Sequence, residues 1–95
     1  MQTITCNQLR EKLASQEDFM LIDVREDYEH RNFNIGGMLI PLGEIIKHAD
    51  KIPKDKTVIF YCRKGVRSQI AIQKLEARFG FTNLINLEGG IEKWK

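Results

Sequence analysis

The sequence predicts an α/β domain built on a mostly parallel sheet with helices on both faces. Two observations carry this. The apolar stretches Phe19-Met20-Leu21-Ile22-Asp23-Val24 and Thr57-Val58-Ile59-Phe60-Tyr61 run without polar alternation, as strands covered on both faces do. Helical patterns separate the strands, as they do where crossovers join parallel neighbours. With 95 residues, 42% hydrophobic and 29% charged, the chain has enough apolar material for one modest core. Residues 1–95 are therefore expected to form a single domain.

Taken in order, Ile4 belongs to a short first strand, and Thr5-Cys6-Asn7-Gln8 offers a capping box with Thr5 at N-cap and Gln8 three residues on. Leu9 and Leu13 then repeat at helical spacing, which predicts a helix from about Cys6 to Ser15. The second strand, Phe19 to Val24, leads through Arg25 into a short polar helix, Glu26 to Asn32, whose acids sit where the helix dipole favours them. Asn34-Ile35-Gly36-Gly37 breaks that helix, and Met38-Leu39-Ile40-Pro41 makes a short strand closed by proline. A helix is expected next, docked through Ile45 and Ile46. After the turn Ile52 to Lys56, Thr57 to Tyr61 forms a strand. Ile70, Ala71, Ile72, Leu75 and Phe79 then give a broad apolar face, predicting a largely buried helix stopped at Gly80. Asn83 to Leu87 is the last strand, and Glu88-Gly89-Gly90 turns into Ile91 to Trp94, with Trp94 expected as a packing anchor.

The bulk numbers exclude several roles. A net charge of +2 without a Lys/Arg run or basic helix face disfavours nucleic-acid or membrane-surface binding. Cys6 and Cys62 lie too far apart for a paired-cysteine metal site and are too few for a disulfide scaffold, so a reducing, cytoplasmic setting is expected. No signal-peptide pattern opens the chain and no apolar run approaches a membrane span. His30 and His48 have no metal-ligand neighbours in sequence and are read as surface histidines. Cys6, in the first turn of a helix without nearby cations, is read as a packing residue. A lone Gly89-Gly90 is weak support for phosphate binding.

One stretch stands apart: Val58 to Tyr61 runs into Cys62, and Arg63-Lys64-Gly65-Val66-Arg67-Ser68 follows before the next helix. A helix N-terminus presents unpaired N–H groups and the positive end of the macrodipole, so an anion there is stabilised, and a thiolate is such an anion. Arg63, Lys64 and Arg67 place three cations within five residues of the sulfur. Gly65 lets the backbone turn with positive φ, and Ser68 can cap the helix or offer a hydroxyl to an anion. A cysteine after an apolar strand is often a small buried hydrophobe, but that account does not call for three cations and a glycine directly after it. Cys62 is read as a nucleophile in an oxyanion-binding pocket. Asp23, at the same sheet edge, is read as support: it orients an arginine or the loop, or pairs locally with Arg25.

Taken together, Leu21-Ile22-Asp23-Val24-Arg25-Glu26 with Tyr28-Glu29, Ile35-Gly36-Gly37 with Ile40-Pro41-Leu42, Cys62 through Ser68, and Leu87-Glu88-Gly89-Gly90-Ile91 with Trp94 resemble a single-domain rhodanese over nearly the whole chain. The resemblance implies a five-stranded, mostly parallel sheet flanked by helices. It also implies sulfurtransferase chemistry, in which Cys62 takes a sulfane sulfur from thiosulfate or a persulfide, holds it as a cysteine persulfide, and passes it to a thiophilic acceptor such as cyanide, glutathione or a protein thiol. The amides of Arg63, Lys64, Gly65, Val66, Arg67 and Ser68 would hold the terminal sulfur, with the three basic side chains attracting the anionic donor. No metal or organic cofactor is implied, and a monomer is expected at this size.

Cysteine-dependent phosphatases of similar layout place five residues between cysteine and arginine; here Cys62 and Arg67 enclose four, a smaller ring better suited to sulfur than to phosphate or arsenate. A non-catalytic binding or regulatory module is the other alternative, usual where the cysteine is missing or its loop altered. The chain departs from many members at Asn34-Ile35-Gly36-Gly37-Met38, where they carry a His-Ile-x-Gly-Ala turn, and at Trp94-Lys95, where others extend the last helix, which implies a frayed C-terminus.

Overall fold

The computed structural model describes residues 1–94, so the expected fraying at Lys95 lies outside the described residues. Five strands, β1 (Gln2–Ile4), β2 (Phe19–Asp23), β3 (Met38–Leu39), β4 (Thr57–Tyr61) and β5 (Leu84–Leu87), form one sheet in the order β1-β5-β4-β2-β3, and every ladder between them is parallel. Three α-helices connect them: α1 (Cys6–Ala14), α2 (Asp27–Asn32) and α3 (Val66–Phe79). None of the helices is long and apolar enough to cross a membrane among the described residues.

Parity along β4 divides the core. Val58, Phe60 and Cys62 point to the side that holds Ala71, Ile72 and Leu75 of α3, while Ile59 and Tyr61 point to the side that holds Cys6 and Leu9 of α1. The sulfur of Cys62 is thereby delivered to the face where α3 begins. Asp23 pairs in register with Tyr61, so Asp23 and Cys62 share one sheet edge but face opposite layers.

Several local expectations are met by the backbone. Thr5 caps α1 reciprocally with Gln8, at 3.1 Å to the Gln8 amide and 2.9 Å back to its own. Gly80 ends α3 in a left-handed conformation. Trp94 is half-buried against the α1-side core, and the Arg10 guanidinium lies 4.2 Å from its ring centroid and donates to its carbonyl.

Two expectations need correction. The segment after Pro41 is no α-helix but two 3₁₀ turns, Leu42–Glu44 and Ala49–Lys51, closed by bonds such as Glu44 to Pro41 at 2.8 Å. Ile45 is still fully buried there, because burial requires only that the side chain reach the sheet. The α3 helix buries one stripe rather than most of its surface. Val66, Ile70 and Phe79 are exposed, since the helix packs on the sheet from one side only.

Candidate active site

Cys62 follows the last residue of β4, and α3 begins at Val66. Between them the chain must reverse within three residues, which Gly65 permits by adopting φ +99° as the residue preceding α3. The turn curls the first amides of the helix around the sulfur. Among the described residues, the backbone N–H groups donating to Cys62 Sγ are those of Gly65, at 3.0 Å, and Ser68, at 3.4 Å. Cys62 is 1% exposed, so the cradle admits only a slender group.

Ser68 Oγ lies 3.4 Å from Sγ, but its own hydrogen is directed to Asn86 Oδ1. Sulfur is therefore held by backbone donors rather than by the hydroxyl. Asn86 comes from β5 and closes the arrangement from behind, with its Nδ2 donating to the Gly65 carbonyl at 3.1 Å. The Gly89-Gly90 turn braces the loop from the same side. Ile91 N donates to the Cys62 carbonyl and Glu92 N to the Arg63 carbonyl, both at 3.0 Å. A side chain at Gly90 would sit 2.3 Å from the Arg63 carbonyl oxygen, which is why the chain can pass so close. Nothing local to Asn86 or Gly90 in the sequence marks these roles, because parallel pairing of β5 with β4 brings them in from the far end of the chain.

The three cations part company. Arg63 and Lys64 are exposed. Arg67 instead forms a two-pronged ion pair with Glu29 of α2, at 2.6 and 2.9 Å. This contact holds the Glu29 carboxyl at a pKa of about 2, the Arg67 hydrogen bond outweighing the opposing effect of burial. Val66 is 62% exposed at the helix entrance.

On the opposite face, buried Asp23 accepts from the Arg25 side chain at 2.8 and 2.9 Å and from its backbone N–H at 3.0 Å. His30 Nδ1 lies 2.8 Å from the same carboxylate, so His30 is not a free surface histidine: α2 turns it inward over the end of β2. Burial opposes the Asp23 charge, but the bonds from Arg25 and His30 prevail and keep its carboxyl below the usual range. Arg25 also donates to the Phe33 carbonyl, and Tyr61 donates to the Gly36 carbonyl at 2.9 Å. Together these fix the turn at Asn34 to Met38. Asp23 and Arg25 thus shape the edge of the site and do not touch the sulfur. Cys6 is buried with its sulfur 3.7 Å from the Gly90 carbonyl, and burial raises its pKa against the pull of Arg10 and Lys93.

Beside the loop, a crevice of about 500 Å³ is lined by Arg25, Tyr28, Glu29, Phe33, Arg63 and Glu92, among others.

A buried cysteine at a strand end, with its sulfur held by amides of a tight turn that opens a helix on a five-stranded parallel sheet, is an arrangement that favours negative charge at that position. The chain belongs to the rhodanese-like family, whose domain description it matches over residues 5–95. It is 38% identical over 88 residues to the putative sulfurtransferase YtwF of Bacillus subtilis, covering 92% of this chain and 84% of that one. It is 36% identical over 95 residues to the probable adenylyltransferase/sulfurtransferase MoeZ of Mycobacterium tuberculosis, but spans only 24% of that protein's length. The crystal structure of a rhodanese-like domain protein from Staphylococcus aureus superimposes with a TM-score of 0.90 at 31% identity, covering 100% of this chain and 92% of that one.

Proposed function

We propose that the protein is a sulfurtransferase that moves a sulfane sulfur from thiosulfate or a persulfide to a thiophilic acceptor through a persulfide on Cys62. The observation that carries this is the convergence of the Gly65 and Ser68 amides on Cys62 Sγ at the start of a fourteen-residue helix.

In the first half-reaction the Cys62 thiolate attacks the outer sulfur of thiosulfate. The bond between that sulfur and the sulfonate sulfur breaks, and its electron pair leaves with sulfite. The product is Cys62 persulfide, with total charge unchanged. Exposed Arg63 and Lys64 attract the anionic donor and the departing sulfite. In the second half-reaction a thiolate or cyanide attacks the terminal sulfur, and the electron pair of the S–S bond returns to Cys62. The crevice beside the loop gives the acceptor its approach.

The test is steady-state formation of thiocyanate from thiosulfate and cyanide. Turnover by the native protein, abolished in Cys62→Ser, is expected. No turnover with any sulfane donor would favour a binding module, and hydrolysis of an aryl phosphate in its place would favour a phosphatase.

A further inference from the structure

The Arg67–Glu29 pair raises a question that sulfur transfer alone does not answer. Arg67 is the cation closest in sequence to the helix entrance and lies within electrostatic reach of Cys62, yet both prongs of its guanidinium are taken by one carboxylate. The carboxylate is itself held in place, since Glu29 Oε1 also accepts from the Glu26 N–H at 3.0 Å at the start of α2. Its side chain is only 16% exposed and lines the crevice that opens beside the loop. An anion entering there finds the Arg67 charge already cancelled by Glu29 and Arg25 already paired with Asp23, which among the described residues leaves Arg63 as the unpaired cation of the lining, with Glu92 beside it.

We infer, on the basis of the sulfurtransferase reading above, that Glu29 is a specificity-determining positioning residue: by occupying Arg67 it disfavours doubly charged donors such as thiosulfate relative to organic persulfides. The two donors differ in the charge they bring. Thiosulfate carries two negative charges next to the reacting sulfur and releases a doubly charged sulfite. A neutral persulfide, R–S–SH, gives its terminal sulfur to the Cys62 thiolate. The S–S bond breaks toward R–S, which takes the proton, leaving Cys62 persulfide and R–SH. The first reaction brings more negative charge toward the Arg67–Glu29 pair than the second, so a carboxylate that cancels this arginine separates them.

The experiment compares kcat/KM for thiosulfate and for a small organic persulfide with an uncharged R group, in the native protein, in Glu29→Gln and in Arg67→Gln. The ratio of the two constants does not depend on how much of each preparation is folded, so a purely structural role leaves it unmoved. Glu29→Gln is expected to shift the ratio toward thiosulfate by roughly threefold to tenfold at low salt, with most of the change in KM. Arg67→Gln, which leaves the Glu29 charge uncompensated, is expected to shift it the other way. Equal ratios in all three proteins, or shifts of the same sign in both variants, would overturn the inference while leaving sulfur transfer intact. Failure of both donors to load native Cys62 would instead overturn the reading on which it rests.

Discussion

Ser68 and Asn86 meet behind the sulfur cradle, the serine hydroxyl donating to the Asn86 carbonyl oxygen while the Asn86 amide donates to the carbonyl of Gly65. Both side chains are buried. One residue of β5 therefore holds both ends of the turn that presents its amides to Cys62. The sulfur site depends on this brace, because amides stabilise a charge only while they stay aimed at it.

Replacing Asn86 by Leu keeps the branched outline of the side chain, with bulkier methyl ends, and removes both bonds. Unfolding free energy is expected to fall by about 1–3 kcal/mol, since a buried hydroxyl loses its acceptor. The rate of sulfur loading on Cys62 is expected to fall on the order of tenfold as the turn loosens. Urea titration and single-turnover sulfite release measure the two effects. Native behaviour in both would remove Asn86 from the account.

Gly90, like Gly37 against the Leu21 carbonyl oxygen at 2.4 Å, leaves no room for a methyl group, and at Gly90 the neighbour is the cysteine loop itself. In Gly90→Ala the new carbon meets the Arg63 carbonyl oxygen at 2.3 Å and the Cys62 carbonyl oxygen at 2.6 Å, at a φ of +66°. The expected cost is about 2 kcal/mol or more, with loss of turnover because the strain falls on the cysteine loop. Gly43→Ala is the control, as nothing lies within 4 Å of its added carbon. Thermal unfolding of the two variants should differ clearly; equal melting temperatures would contradict the packing described.

Tyr61 carries a pH dependence on the alkaline side. Burial, reinforced by the Asp23 charge, pushes its pKa up to about 12 from 10.0. The folded state thus favours the neutral phenol, and this contribution is complete below pH 10 and is lost as pH rises through about 12. Denaturation midpoints of the native protein should fall more steeply over this range than those of Tyr61→Phe. Parallel curves would show that the phenol is not held as described.

Much of this was legible in the chain because the relevant residues are close together in it. The run from Val58 to Ser68 contains the strand, the thiol, the turn glycine and the helix start, and the structure keeps them in that order. The Thr5 and Gln8 capping pair is equally local. What escaped is non-local or depends on orientation. Asn86 and Gly90 reach the loop only through strand pairing, and Glu29 reaches Arg67 across 38 positions. His30 is polar in a polar helix, and only the placement of α2 over β2 turns it toward Asp23. The stretch from Leu42 to Lys51 has helical apolar spacing, yet it folds into short 3₁₀ turns between Pro41 and Pro53 that still bury Ile45.

The most direct test is intact-protein and peptide mass spectrometry after incubation with thiosulfate. The account predicts a single added sulfur atom, located on Cys62 and not on Cys6, removed by cyanide and missing from Cys62→Ser. An adduct on Cys6 alone, or an unmodified protein after exposure to both thiosulfate and an organic persulfide, would contradict it.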